Sequence, residues 1–148
     1  MIETLSGVRR LYVDANILIY LFEENIAFHE RVAVAFGLAQ QLGIKLFTSQ
    51  ITITECLNGA HRDKNSELAR LYLDMFSDQN FITVIPIHIK TCVEAARLGA
   101  EQGLKTIDAI HLASSIAVEC NAFLTNDARF RSNKHIQVVQ LTQFSTSN

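Results

Sequence analysis

The stretch that most limits what this chain can fold into is LYVDANILIYLF, Leu11 to Phe22. Leu11-Tyr12-Val13 is a short apolar run that reads as a buried strand, and it stops on Asp14. Asn16 lies two residues on, and the apolar run Ile17 to Phe22 follows with neither Gly nor Pro. The chain therefore passes from buried strand to buried helix through a carboxylate. An ionised Asp is costly to remove from water unless a cation or good donors meet it. Whether other carboxylates reach the same place decides what the junction is for.

The order of elements says where they would go. A loose start over Met1 to Gly7 precedes a first strand over Val8 to Val13. Phe28, Val32, Ala35, Phe36, Ala39 and Leu42 form a helical stripe that Gly43 closes. Ile44 to Phe47 is a second strand, and the Thr48 and Ser49 hydroxyls start a helix over Ile51 to Asn58. That helix packs Ile53, Leu57 and Ala60, projects Glu55 away from them, and ends at Asn58-Gly59. Ser66 opens an amphipathic helix along Leu68, Leu71, Tyr72, Met75 and Phe76, a stripe that suits either the core or a dimer interface. Phe81 to Ile85 is a third strand, ended by Pro86. Ile89, Val93, Ala96 and Ala100 mark a further helix that finishes at Gly103. Thr106 caps TIDAIHLASSIAVEC, which is apolar nearly all round and so buried. Ala122 to Thr125 and Ile136 to Leu141 are the last strands. Alternating strands and helices in a chain of 148 residues imply one α/β domain, residues 1–148, with a mostly parallel sheet covered on both faces.

In such folds ligands bind beyond the carboxyl ends of the strands. Asp14 and Asp127 each follow a strand, and Asp108 lies in the first turn of the helix feeding the fourth strand. A covering helix runs antiparallel to the strands, so its start lies at the same edge. Glu55, in the second turn of the helix after the second strand, reaches that edge through its longer side chain. No basic residue sits beside Asp14, Glu55 or Asp108 in the sequence. Taken singly, each acid reads equally well as a cap or a first-turn charge. Together they would repel, and a hard divalent cation relieves that repulsion with oxygen ligands. Two such ions roughly 4 Å apart can activate water and stabilise the leaving oxygen in phosphodiester cleavage.

Composition excludes several other classes. The chain is 49% hydrophobic and 19% charged, so it is not disordered, and its net charge of -2 carries no general basic signal for coating duplex nucleic acid. Cys56, Cys92 and Cys120 have no zinc or redox spacing and read as buried, reduced thiols. The longest apolar stretch is too short to cross a bilayer, so the expectation is a cytoplasmic protein with no membrane partner.

VDANILIYLF, TITECLNG, TIDAIHLASSIA and FLTNDARF, in that order and approximate spacing, resemble the PIN domain, and most of all its VapC-like toxin ribonucleases. The likeness runs from Val13 to about Phe130. It implies a three-layer α/β/α fold around a central, mostly parallel sheet of four to five strands. It also implies an endoribonuclease, a hydrolase of phosphodiester bonds in single-stranded RNA, dependent on Mg²⁺ or Mn²⁺. Members are often homodimers, and the toxin of a type II toxin–antitoxin pair is neutralised by a small antitoxin protein. By this resemblance Asp14, Glu55, Asp108 and Asp127 are the catalytic, metal-binding acids. Asn16 and Thr125 match the supporting polar positions, and Ser49 matches the family's hydroxyl more loosely.

Other residues carry two readings. His111, one turn after Asp108, is a packed, hydrogen-bonded helix histidine, or else a proton shuttle or metal ligand. Arg129, Arg131 and Lys134 either contact phosphates at the mouth of the site or belong to a solvated loop. His29, His61, His88 and His135 read as surface residues. Two alternatives to the nuclease stay open: a non-catalytic PIN-type scaffold that binds RNA or a partner, and a haloacid-dehalogenase-like phosphohydrolase. The second needs another Asp two residues after Asp14, where this chain has Asn16.

Overall fold

Burial on both faces of the three central strands sets the architecture. The computed structural model describes residues 2–146. Arg10–Val13 (β1), Lys45–Ser49 (β2), Thr83–Ile85 (β3), Ala122–Thr125 (β4) and Gln137–Gln140 (β5) form one sheet in the order β3-β2-β1-β4-β5. Every pairing is parallel. Ala15–Phe22 (α1), His29–Gln41 (α2), Gln50–Arg62 (α3), Ser66–Ser77 (α4), Ile89–Gln102 (α5) and Thr106–Ala117 (α6) cover it. Leu11, Val13, Leu46, Ala122, Leu124 and Val139 enter one core with α1 to α4. Tyr12, Phe47 and Phe123 enter a second core with α5 and α6. That alternation is the period of a strand, and it produces the three-layer α/β/α fold expected from the sequence.

The strand order reverses at β1, with β2 on one side and β4 on the other, which makes the carboxyl ends of β1 and β4 the natural crevice. Register then fixes what meets there. Val13 pairs with Leu124, so the next residues along, Asp14 and Thr125, come side by side. The Asp14 N–H donates to the Leu124 carbonyl at 3.1 Å and keeps the strand ends together through the turn into α1.

Several local expectations are corrected. Ile2–Leu5 is a 3₁₀ turn with Leu5 buried, not a loose start, and β1 begins at Arg10 rather than Val8. Met1 lies outside the described residues. α3 runs through Asn58-Gly59 to Arg62 because Ala60, beyond the glycine, is fully buried. The reversal comes later, at Lys64, whose φ of +53° is left-handed. Asn65, not Ser66, caps α4 by accepting from the Leu68 N–H. Ser49 and Lys105 occupy the capping positions of α3 and α6 without side-chain caps, so neither Ser49 nor Thr106 acts as the sequence suggested. α5 turns its other face inward: Thr91, Ala95 and Leu98 are buried, while Ile89 and Val93 are 85% and 63% exposed. Cys56 and Cys120 are buried as expected, but Cys92, on the outer face of α5, is exposed. Among the described residues no helix is long and apolar enough to cross a membrane.

α6 carries two residues of the crevice, so its seat matters. It lies close to α5 at Gly99, where an added Cβ would come within 3.2 Å of the Ala109 Cβ. A methyl on a helix backbone cannot swing aside. Gly99→Leu should lower stability by about 1–3 kcal/mol in urea unfolding, even though leucine is the better helix former. A variant more stable than wild type would show that α5 and α6 have room to separate.

Candidate metal centre

Asp14 is the innermost acid, only 5% exposed, at the turn between β1 and α1. It does not cap α1 with its side chain. Its Oδ2 instead accepts a 2.8 Å hydrogen bond from the Thr125 hydroxyl, the contact that strand register prepares. The same Thr125 oxygen accepts the Asp127 N–H at 3.0 Å, and the Gln140 amide donates to the Asp127 carbonyl at 3.0 Å. Thr125 thus aims one acid and fixes the backbone of another. Burial is the main influence on Asp14 and pushes its carboxyl above the usual range. His111 and the Thr125 bond oppose the shift, and the charges of Glu55 and Asp108 add to it.

Glu55 rises from α3, on the opposite layer from α6, and meets His111 at the sheet edge. His111 Nε2 lies 2.6 Å from Glu55 Oε1 and 3.8 Å from Asp14 Oδ1. On the far side of the ring, Nδ1 is 2.8 Å from the Tyr12 hydroxyl, which donates to Ser49 Oγ at 2.9 Å. With Tyr12 donating onward, Nδ1–H donates to Tyr12 and Nε2–H to Glu55, which describes a doubly protonated ring. Burial by itself would lower the His111 pKa. The Glu55 bond, with the charges of Asp14, Glu55 and Asp108, outweighs that and raises it. His111 is thus the packed, hydrogen-bonded helix histidine of the first reading, with Glu55 and Tyr12 as its partners.

Asp108 and Asp127 form an outer pair, with side chains 20% and 21% exposed. Arg129 reaches both. Its Nη2 is 2.6 Å from Asp127 Oδ2 and 3.3 Å from Asp108 Oδ2, and its Nε lies 3.0 Å from Asp127 Oδ1. The guanidinium is committed mainly to Asp127, whose carboxyl it holds below the usual range. Asp108 is raised, chiefly by burial, with Arg129 opposing and Asp127 adding.

Of the supporting positions, Thr125 touches Asp14 directly. Ser49 is bonded to Tyr12 rather than to an acid, and Asn16 is exposed on α1 without a hydrogen bond to the carboxylates. Sequence reasoning missed Tyr12, a core aromatic whose hydroxyl no pattern marks, and Thr48, which donates to the Val13 carbonyl at 3.0 Å beneath Asp14. His29 is half-buried, His61, His88 and His135 are exposed, and Arg131 and Lys134 are exposed.

Among the described residues, no three His, Cys, Asp or Glu side chains stand close enough to hold a metal ion as arranged. His111 draws Glu55 to one side and Arg129 draws Asp127 to the other. The donor set nevertheless fits a hard divalent cation. Four carboxylates face two cationic side chains, which leaves two negative charges with no protein partner when all are ionised. One of the four is buried at energetic cost.

Two outcomes follow. In chelator, Asp14→Asn should melt no lower than wild type, and a few degrees higher near neutral pH, since about 1 kcal/mol moves Tm by about 2–4 °C at this size. A raised carboxyl costs stability above its unfolded value, so the gap should close as pH falls to the ordinary aspartate value of 3.8, below which Asp14 is protonated folded or unfolded. A variant that melts well below wild type would make the charge structural. Thr125→Val, of the same shape, should lose about 1–3 kcal/mol by leaving the Asp127 N–H and Asp14 unmatched.

The model of the PIN domain matches residues 11–136. No curated protein matches. Among solved structures, VapBC2 from Rickettsia felis, bound to a DNA fragment from their promoter, is similar with a TM-score of 0.68 and 19% identity, over 87% of this chain and 96% of that one. A toxin–antitoxin complex from Klebsiella pneumoniae gives 0.61 and 24%, over 88% and 97%. DNA-bound VapBC from Salmonella typhimurium gives 0.69 and 16%, over 90% and 98%. At these identities the likeness is one of fold.

Proposed function

The chain belongs to the PIN domain family, and from that premise we propose that it is a divalent-cation-dependent endoribonuclease cutting single-stranded RNA. The observation that carries this reading is the meeting of Asp14, Glu55, Asp108 and Asp127 at one sheet edge from four separate elements. We take these acids as the ligands of Mg²⁺ or Mn²⁺. The cation, when bound, lowers the pKa of a water and offsets charge building on the phosphodiester. The chain's own residues prepare that chemistry. Thr125 turns Asp14 toward the cleft, and Tyr12 and His111 hold Glu55 at its rim. The apolar layers below exclude water from Asp14 and His111 and strengthen the charge interaction between them.

The fold's neighbours occur as toxin–antitoxin complexes, which supports a second part of the proposal. On this reading the protein is the toxin of a type II pair, one PIN-like domain over residues 1–148. It works in the cytoplasm as a homodimer and is held by a small antitoxin.

The test is direct. Asp14→Asn and Asp108→Asn should each lower cleavage of a single-stranded oligoribonucleotide by at least about 10²-fold, as loss of a principal electrostatic group does. Circular dichroism should show both folded. Calorimetry should show Mn²⁺ binding to wild type and weaker binding to both variants. Cleavage at the wild-type rate by either variant sinks the nuclease assignment. Mn²⁺ binding without cleavage of any RNA tried points instead to a scaffold.

A further inference from the structure

The Arg129 guanidinium is held by the outer acids alone, while the backbone on either side of it is anchored. Asp127, two residues before it, is tied through its backbone to Thr125 and Gln140. Phe130, one residue after it, is 3% exposed and packs on Phe123 with ring centroids 4.7 Å apart. The Arg129 N–H donates to Asp127 Oδ1 at 2.9 Å, which makes a tight local turn. Between these anchors the guanidinium is 52% exposed and lies across Asp127 and Asp108. Nη1 makes no hydrogen bond among the described residues. The arginine can change its rotamers and leave the outer acids without moving backbone or core.

Its present position is where a divalent cation would compete with it. Nη2 approaches one oxygen of each outer acid, Oδ2 of Asp127 and Oδ2 of Asp108. An arginine–carboxylate pair this exposed is screened by solvent and weakly held, so a doubly charged ion can displace it. Once displaced, the guanidinium stays within a side chain's length of the cleft. It carries the flat, forked donor set that suits a phosphate as well as a carboxylate. Charge dictates the exchange. Without the cation the acids need a positive partner; with it, their need is met and the arginine is free for an anion.

We propose that Arg129 is a releasable counter-ion: it closes the Asp108–Asp127 side of the site until a divalent cation displaces it, and then binds a backbone phosphate of the substrate. This rests on the cation-dependent nuclease reading above. It makes Arg129 a substrate-binding residue and couples cation and RNA binding, each favouring the other through one side chain. It also separates Arg129 from Arg131 and Lys134, which are exposed and form no ion pair among the described residues.

The test compares wild type, Arg129→Gln and Arg129→Lys by binding alone. Mn²⁺ is titrated by calorimetry, and a short 2′-O-methyl oligoribonucleotide, which resists cleavage, is titrated by fluorescence anisotropy. Arg129→Gln should bind Mn²⁺ several-fold more tightly, because its competitor is gone. With Mn²⁺ present it should bind the oligonucleotide about tenfold more weakly, the loss of one charge-assisted fork. In chelator it should match wild type, whose arginine is then engaged. Arg129→Lys, which keeps the charge but not the fork, should fall between. If wild type takes up Mn²⁺ but Arg129→Gln shows unchanged or weaker Mn²⁺ binding, or unchanged oligonucleotide binding, the counter-ion role is wrong and the nuclease reading stands. If wild type takes up no Mn²⁺, both fall.

Discussion

Repulsion between carboxylates is the constraint around which this sheet edge is built. Asp14 is buried with its carboxyl displaced upward, and Glu55 and Asp108 act on it through their charge. Two cationic side chains come to the acids from opposite sides. His111, under the site, takes Glu55, and Arg129, over it, takes Asp127 and Asp108. In a chain without another cation, these two side chains are the positive partners the acids have among the described residues. Elsewhere in the interior the buried Thr48 hydroxyl meets neutral partners, the Val13 carbonyl and the Thr52 hydroxyl.

Much of the fold was legible because strands buried on both faces have a simple signature. Tyr12 and Phe47 point one way and Leu11, Val13 and Leu46 the other, yet all are apolar, so short unbroken runs marked the strands. The positions of the four acids followed from topology, since parallel strands and antiparallel helices deliver their ends to a known edge. What failed was finer. On α5 both faces carry apolar residues, and only packing against α6 decides that Ala95 and Leu98 go in while Ile89 and Val93 stay out. Asn58-Gly59 read as a stop because those residues favour turns, yet burying Ala60 outweighs the roughly 1 kcal/mol that glycine costs a helix.

The pairs within the site were the least legible part. Arg129 is two residues from Asp127 but twenty-one from Asp108, and nothing in spacing shows that one guanidinium spans both. His111 and Glu55 are 56 positions apart, and Tyr12 and His111 are 99. Such contacts exist only after the layers dock. Residue type gave the acids away because carboxylates at strand ends are rare on packing grounds. A tyrosine in a core strand or a histidine in a buried helix is ordinary until its hydrogen bond is seen.

The acids come from all three layers: Asp14 and Asp127 from the sheet's end, Glu55 from the helices on one face, Asp108 from those on the other. No subset of neighbouring elements contains the whole cluster. A half-made chain emerging from the ribosome, or one with a single layer unravelled, lacks the constellation altogether. Whatever reaction the edge performs therefore switches on only with the last layer to dock, which gives the molecule a built-in proof of completeness.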